Sequence, residues 1–109
     1  MVKYIPKQGD IVILSFNPQS GHEQKGRRPA IIISNEIFNK HLGLAFACPI
    51  TNTQRNSPFH IKVSSKNITG YIMSEQMKSI DYNSRDIKFI ETADEETLSH
   101  VLGIVESIL

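Results

Sequence analysis

Seven short apolar runs separated by turn-rich segments, then one stretch whose apolar residues return at helical spacing, predict a mainly β chain with a C-terminal α-helix. Strands this short and closely spaced fit a small curled sheet or barrel. The 109 residues are expected to form one domain, residues 1–109, with a single core and a modest buried fraction, so that a partner surface matters to it. Hydrophobic residues at 39% against charged residues at 21% place the chain among globular rather than disordered sequences.

The first strand is expected over residues 11–16, with Val12, Leu14 and Phe16 on one side and Ser15 on the other, although Ile11 and Ile13 make both faces apolar. Residues 30–33 are mostly β-branched and too few for a helix, and Pro29 marks the edge of that strand. Ser34-Asn35-Glu36 has the residue types of a helix cap, leading a short helical stretch over residues 37–40 that Gly43 ends. Further strands are expected over residues 44–50, 59–63, 70–73, 77–80 and 87–90, divided by segments such as Ser64-Ser65-Lys66-Asn67. In the last stretch Thr92 and Glu95 stand at capping-box spacing, and Asp94, Glu95 and Glu96 give the first turn negative charge. Leu98, Val101, Leu102, Val105, Ile108 and Leu109 form one apolar face, expected to pack on the sheet.

No apolar run nears the roughly 20 residues of a membrane helix. Residues 1–7 lack the continuous apolar stretch of a signal peptide, so a cytoplasmic protein with no membrane partner is expected. Cys48 is the sole cysteine, which excludes an internal disulfide and a cysteine-rich metal site; within an apolar run it reads as a buried structural thiol rather than a nucleophile. His41, His60 and His100 are scattered, with no cysteine or carboxylate at ligand spacing, so no metal and no other cofactor is expected. The net charge of +1 conceals an asymmetry: residues 1–66 carry +6 and residues 67–109 carry −5. An acidic partner such as nucleic acid fits the first part, unless folding intermixes the two.

Residues 17–28 are a long polar segment between two apolar strands. His22, Glu23, Gln24, Lys25, Arg27 and Arg28 bring an imidazole, a carboxylate, an amide and three cations into seven positions, with Gly21 and Gly26 giving backbone freedom at either side. That composition suits the handling of an anion. Arg28 precedes a proline that helps fix its position, and its planar fork matches two phosphate oxygens. A loop arginine also often pairs with a carboxylate for structure alone. Thr51 follows Pro49-Ile50 at a strand end, where its hydroxyl either donates to a phosphate oxygen or closes a local turn. Residues 52–58 are amide-rich and include Arg55; amides read base edges, and Phe59 stacks a base only if it faces outward, the core being the expected place for it.

Gly21-His22-Glu23-Gln24-x-Gly26-x-Arg28-Pro29, followed by Ala30-Ile31-Ile32-Ile33-Ser34, resembles the signature loop and strand of the MazF/PemK toxins, the sequence-specific endoribonucleases of bacterial toxin–antitoxin pairs. Gly9-Asp10-Ile11-Val12 with Phe16-Asn17-Pro18, then Pro49-Ile50-Thr51, then Gln76-Met77-Lys78-Ser79-Ile80-Asp81 match in the same order, so the resemblance spans essentially the whole chain. It implies a small SH3-like barrel of the CcdB/MazF/PemK type and a homodimer. It further implies metal-independent cleavage of single-stranded RNA, leaving 2′,3′-cyclic phosphate and 5′-hydroxyl ends. A cognate antitoxin is implied as partner, expected to cover the basic groove with an acidic, partly disordered tail.

Such cleavage needs a base for the 2′-hydroxyl, a stabiliser of the phosphorane and an acid for the departing 5′-oxygen. The resemblance makes Arg28 the central catalytic residue, with proton transfer as well as charge stabilisation assigned to its family position; a guanidinium pKa above about 12 favours charge stabilisation. It places Thr51 beside that arginine. Glu23 matches the MazF-like pattern and His22 the PemK-like branch, and either one serves as the acid–base group or orders the loop. The PemK branch carries an Arg-x-Asp-Gln run where this chain reads Met73-Ser74-Glu75-Gln76, so that catalytic pair is not carried over. Gln24, Lys25, Arg27, Asn52, Gln54, Arg55, Gln76 and Lys78 are expected to steer or read the RNA. The alternatives are a gyrase poison of the CcdB type, which needs no Arg-Thr phosphate pair, and a non-catalytic SH3-like RNA-binding or protein-interaction module.

Overall fold

The computed structural model describes residues 3–15 and 27–109. Its strands are β1 (Asp10–Ser15), β2 (Arg27–Ile32), β3 (Ala45–Thr51), β4 (His60–Ser64), β5 (Thr69–Met73), β6 (Lys78–Ile80) and β7 (Lys88–Thr92). Two α-helices, α1 (Glu36–Leu42) and α2 (Glu95–Ile108), complete it, with single 3-10 turns at Ser74–Gln76 and Tyr82–Ser84. All pairings are antiparallel, in the order β4-β5-β3-β2-β1-β7, with β6 on β3. The result is the expected mainly β fold with a C-terminal helix, its sheet curled into a half-barrel. Its two end strands approach each other, since Asn67 in the β4–β5 turn donates from Nδ2 to Glu91 Oε1 of β7 at 2.8 Å.

Two apolar layers explain why β1 reads as apolar on both faces. Ile11, Ile31, Cys48, Ile50, Ile61, Val63 and Ile72 point inward and meet Val101 and Val105 of α2. Val12, Leu14, Ala30, Ile32, Ala45 and Ala47 alternate to the other face, beneath Ile80 and Tyr82. The Tyr82 hydroxyl donates to the Asn39 carbonyl at 2.7 Å, and the buried Asn39 amide donates to the Pro6 carbonyl at 2.8 Å, tying α1 over this second layer. Pro49 is tolerated within β3 because that strand changes neighbour there, pairing with β6 up to Ala47 and with β5 from Ile50.

Several expectations need correction. The second strand begins at Arg27, with Pro29 inside it opposite Ile13, because β3 takes up pairing with β2 only from Ala30. The cap of α2 is Asp94, whose carboxylate accepts from the Thr97 N–H at 2.7 Å; Thr92 is consumed by β7. The apolar face of α2 packs only as far as the sheet extends, leaving Ile108 and Leu109 exposed. Phe59, expected in the core, precedes β4 and is 41% exposed. Phe16, expected to end the first strand, lies outside the described residues.

Candidate active site

The second apolar layer stops near Ala30 and Ala47, and beyond it the same sheet face is open. On β2 and β3, Ala30 stands opposite Pro49 and Ile31 opposite Cys48. Continuing that register by two residues sets Arg28 across from Thr51, both on the open face. The face extends across two more strands, because Thr51 pairs with Tyr71 and Tyr71 with Lys62, while Met73 pairs with His60. Ile61, Val63 and Ile72 take the core side, and alternation therefore delivers His60 and Lys62 to the outside.

Arg28 and Thr51 together line two adjoining clefts. One, of about 430 Å³, also takes in Asn52, Thr53 and Thr69. The other, of about 650 Å³, adds Arg55, His60, Glu75 and Gln76. A third, of about 360 Å³, continues past His60 to Gln54, Lys62 and Tyr71. Arg28 is exposed, and among the described residues no carboxylate forms an ion pair with it. Among the described residues its fork is thus free for an anion. Thr51 Oγ1 accepts from the Thr53 N–H at 3.2 Å, the local turn bond that a strand-end threonine often makes, and this leaves the hydroxyl proton free to be donated. Behind Thr51, Gly70 permits β5 to close up: a Cβ there would lie 2.7 Å from the Thr51 carbonyl oxygen.

Arg27 alternates to the opposite face, where its Nη1 lies 2.6 Å from Asp86 Oδ2. It lines none of these three clefts, and neither does Lys78, which stands opposite Ala47 on β6. Asn52, Gln54, Arg55 and Gln76 line these clefts. His22, Glu23, Gln24 and Lys25 lie outside the described residues.

A profile described as PemK-like, MazF-like toxin of type II toxin-antitoxin system matches residues 7–109. The chain belongs to this toxin family. It is 32% identical over 83 residues to the endoribonuclease toxin MazF of Escherichia coli K12, covering 76% of this chain and 75% of that one. The crystal structure of MazF from Deinococcus radiodurans superposes with a TM-score of 0.86 at 34% identity, covering 97% of both chains. A MazE-MazF crystal structure from the same organism gives 0.85 at 29% identity, covering 97% of this chain and 96% of that one.

On this cleft face the structure adds a pair that the sequence left apart. His60 Nε2 lies 3.0 Å from Glu75 Oε2, with the imidazole 5% and the carboxylate side chain 36% exposed. Burial pushes the Glu75 carboxyl up, but hydrogen bonds from His60, its own backbone N–H and Gln76 outweigh this and hold it below the ordinary carboxylate value. The inward Ile61 and Val63 were the available signal, since they imply that His60 and Lys62 face out. The Glu75 partnership needed the β4–β5 register, which brings together residues fifteen positions apart.

Proposed function

We propose that this chain is an endoribonuclease toxin that cleaves single-stranded RNA at specific short sequences and is neutralised by a cognate antitoxin. The observation that carries the reading is the placement of Arg28 and Thr51 across from each other on an open face, with the Arg28 guanidinium uncommitted among the described residues. The names of its relatives favour this over a gyrase poison or a passive binding module, and the MazE-MazF complex supports an antitoxin partner.

In the proposed reaction the ribose 2′-oxygen attacks the adjacent phosphorus and loses its proton, while the 5′-oxygen departs and takes one up. The products are a 2′,3′-cyclic phosphate and a 5′-hydroxyl. Arg28 binds two non-bridging oxygens and offsets the charge that builds on them. Thr51 donates a hydrogen bond to the same phosphate. Glu23 or His22 moves the protons, and Asn52, Gln54, Arg55 and Gln76 steer or read the strand. The antitoxin acts by covering this face, and the toxin acts as a homodimer in the cytoplasm.

The test is incubation with a long single-stranded RNA in excess chelator, with cut positions and end groups mapped. Recurrent short sites with cyclic phosphate and 5′-hydroxyl ends are expected. Arg28→Ala is expected to lower the rate by about a hundred- to a thousandfold, the scale seen when one stabiliser of developing charge is removed. Wild-type cleavage by that variant would remove the central residue from the mechanism.

A further inference from the structure

Two neighbouring arginines open β2, and only Arg28 reaches the clefts. β3 pairs with β2 at Ala30, Ile31 and Ile32, so the residues before Ala30 have β1 as their one strand neighbour. Pro29 has no N–H with which to add a bond. The end of β2 that carries Arg28 is therefore held on one side only by its strand pairing.

The turn before β7 supplies a second hold. Arg27 Nη1 donates to the Asp86 carbonyl at 3.1 Å and to Asp86 Oδ2 at 2.6 Å. The same turn takes the end of β1, because the Ser15 N–H donates to the Arg85 carbonyl at 2.9 Å and Arg85 Nη1 donates to the Ser15 carbonyl at 3.3 Å. Ser15 is the strand partner of Arg27, so one turn fastens both members of the last β1–β2 pair. Just before it, the buried Tyr82 ties the segment to Asn39. Asp86 itself has a φ of +52°, which Asp and Asn adopt more readily than other side chains do.

An exposed ion pair adds little stability, and Asp86 is 88% exposed. The Arg27 side chain is only 25% exposed, so the contact restrains the strand end more than it stabilises the fold. Position matters more at this place, since a displacement of about 1 Å at a catalytic group can cost about a hundredfold in rate.

We infer that Arg27 and Asp86 are positioning residues: their contact fixes the start of β2 and so holds the Arg28 guanidinium across from Thr51. This rests on the RNA-cleavage reading above. It gives Arg27, expected from the sequence to contact RNA, a role on the other side of the sheet.

The experiment compares single-turnover cleavage of one long single-stranded RNA by wild type, Arg27→Ala, Asp86→Gly and Asp86→Asn, with Arg27→Ala and Asp86→Gly also placed in the Arg28→Ala background. Denaturant unfolding of each variant separates loss of fold from loss of placement. Glycine adopts the φ of Asp86 freely, asparagine keeps an acceptor oxygen, and both remove the same charge. Loss of a negative charge by itself favours RNA, so a slower Asp86→Gly runs against the general electrostatic effect. Arg27→Ala and Asp86→Gly are each expected to cut about tenfold more slowly with near wild-type unfolding midpoints, and Asp86→Asn to stay close to wild type. In the Arg28→Ala background neither is expected to slow cutting by more than about twofold, because the group they position is gone. A slow Arg27→Ala beside an Asp86→Gly at or above the wild-type rate would make Arg27 an RNA contact and overturn the inference. Equal fractional losses with and without Arg28 would overturn it too, since the contact would then serve another group. A wild type that leaves RNA intact would instead bring down the parent reading, and the inference with it.

Discussion

At Thr51 the accepted hydrogen bond from Thr53 leaves the hydroxyl's own proton available, and the register with β2 sets it across from Arg28. A hydrogen bond to a charged group is worth about 1.5–3 kcal/mol, so Thr51→Val is expected to slow single-turnover cleavage by roughly ten- to a hundredfold while Thr51→Ser stays near wild type. A Thr51→Val enzyme at full rate would reduce Thr51 to a turn former. Cys48 behaves in the opposite sense. Burial first, and the charge of Glu75 second, push its thiol up to about 12. The thiolate is therefore scarce near neutral pH, and a thiol reagent at pH 8 is expected to leave the native protein unmodified and to react on unfolding; prompt native labelling would contradict the burial. Both placements were legible in the sequence, since Thr51 ends an apolar run and Cys48 lies inside one. The His60–Glu75 contact was not, because composition alone does not say which of four histidines a register brings to a carboxylate.

The elements carry the site through their closeness. A Cβ on Gly70 would sit 2.7 Å from the Thr51 carbonyl oxygen and 2.9 Å from Ile50 Cγ2, and a backbone atom cannot yield as a side-chain end does. Gly70→Ala is expected to cost about 1–3 kcal/mol of stability and to lower cleavage in the folded protein by displacing the end of β3. Denaturant unfolding and single-turnover rates read the two effects separately, and an unchanged unfolding midpoint would contradict the close approach. At α2 the sequence announced a capped, acidic helix start but placed the cap at Thr92, because strand β7 claims that residue only through its pairing with β1. Phe59, Ile108 and Leu109 were misplaced for a related reason: periodicity shows which side of an element is apolar, not where its neighbour ends. The true cap yields a test with a defined sign. Backbone and side-chain hydrogen bonding to Thr97 holds the Asp94 carboxyl below its ordinary 3.8, so its contribution is present above that value and is lost as pH falls through the depressed one. Asn caps about as well without titrating. Asp94→Asn is expected to match the wild-type Tm at pH 7 and to lose less of it on acidification below 3.8; parallel acid profiles would remove Asp94 from the pH dependence.

Across the whole molecule a net charge of +1 gives almost no general attraction to RNA, so any affinity must come from where the charges lie. The fold retains the asymmetry of the sequence at this face: Arg28, Arg55 and Lys62 reach the clefts from three parts of the basic segment, while Asp94, Glu95 and Glu96 gather at the start of α2. Arg28 and Arg55 were thus readable from order, and Lys62 could have been from the alternation of Ile61 and Val63, whereas Glu75, the single acidic member among the described residues, comes from the acidic part and reaches the cleft through the turn after β5. Three cations on three phosphates of a single strand release counterions with a slope of log affinity against log salt of about −2, at roughly −0.7 per contact. Binding of a single-stranded RNA made uncleavable by a 2′-deoxy substitution, measured by fluorescence anisotropy across a salt series, is expected to show that slope or a steeper one. Arg28→Ala and Lys62→Ala are each expected to flatten it by about 0.7. A slope near zero in the wild type, or one that neither substitution changes, would mean that the strand does not run across this face.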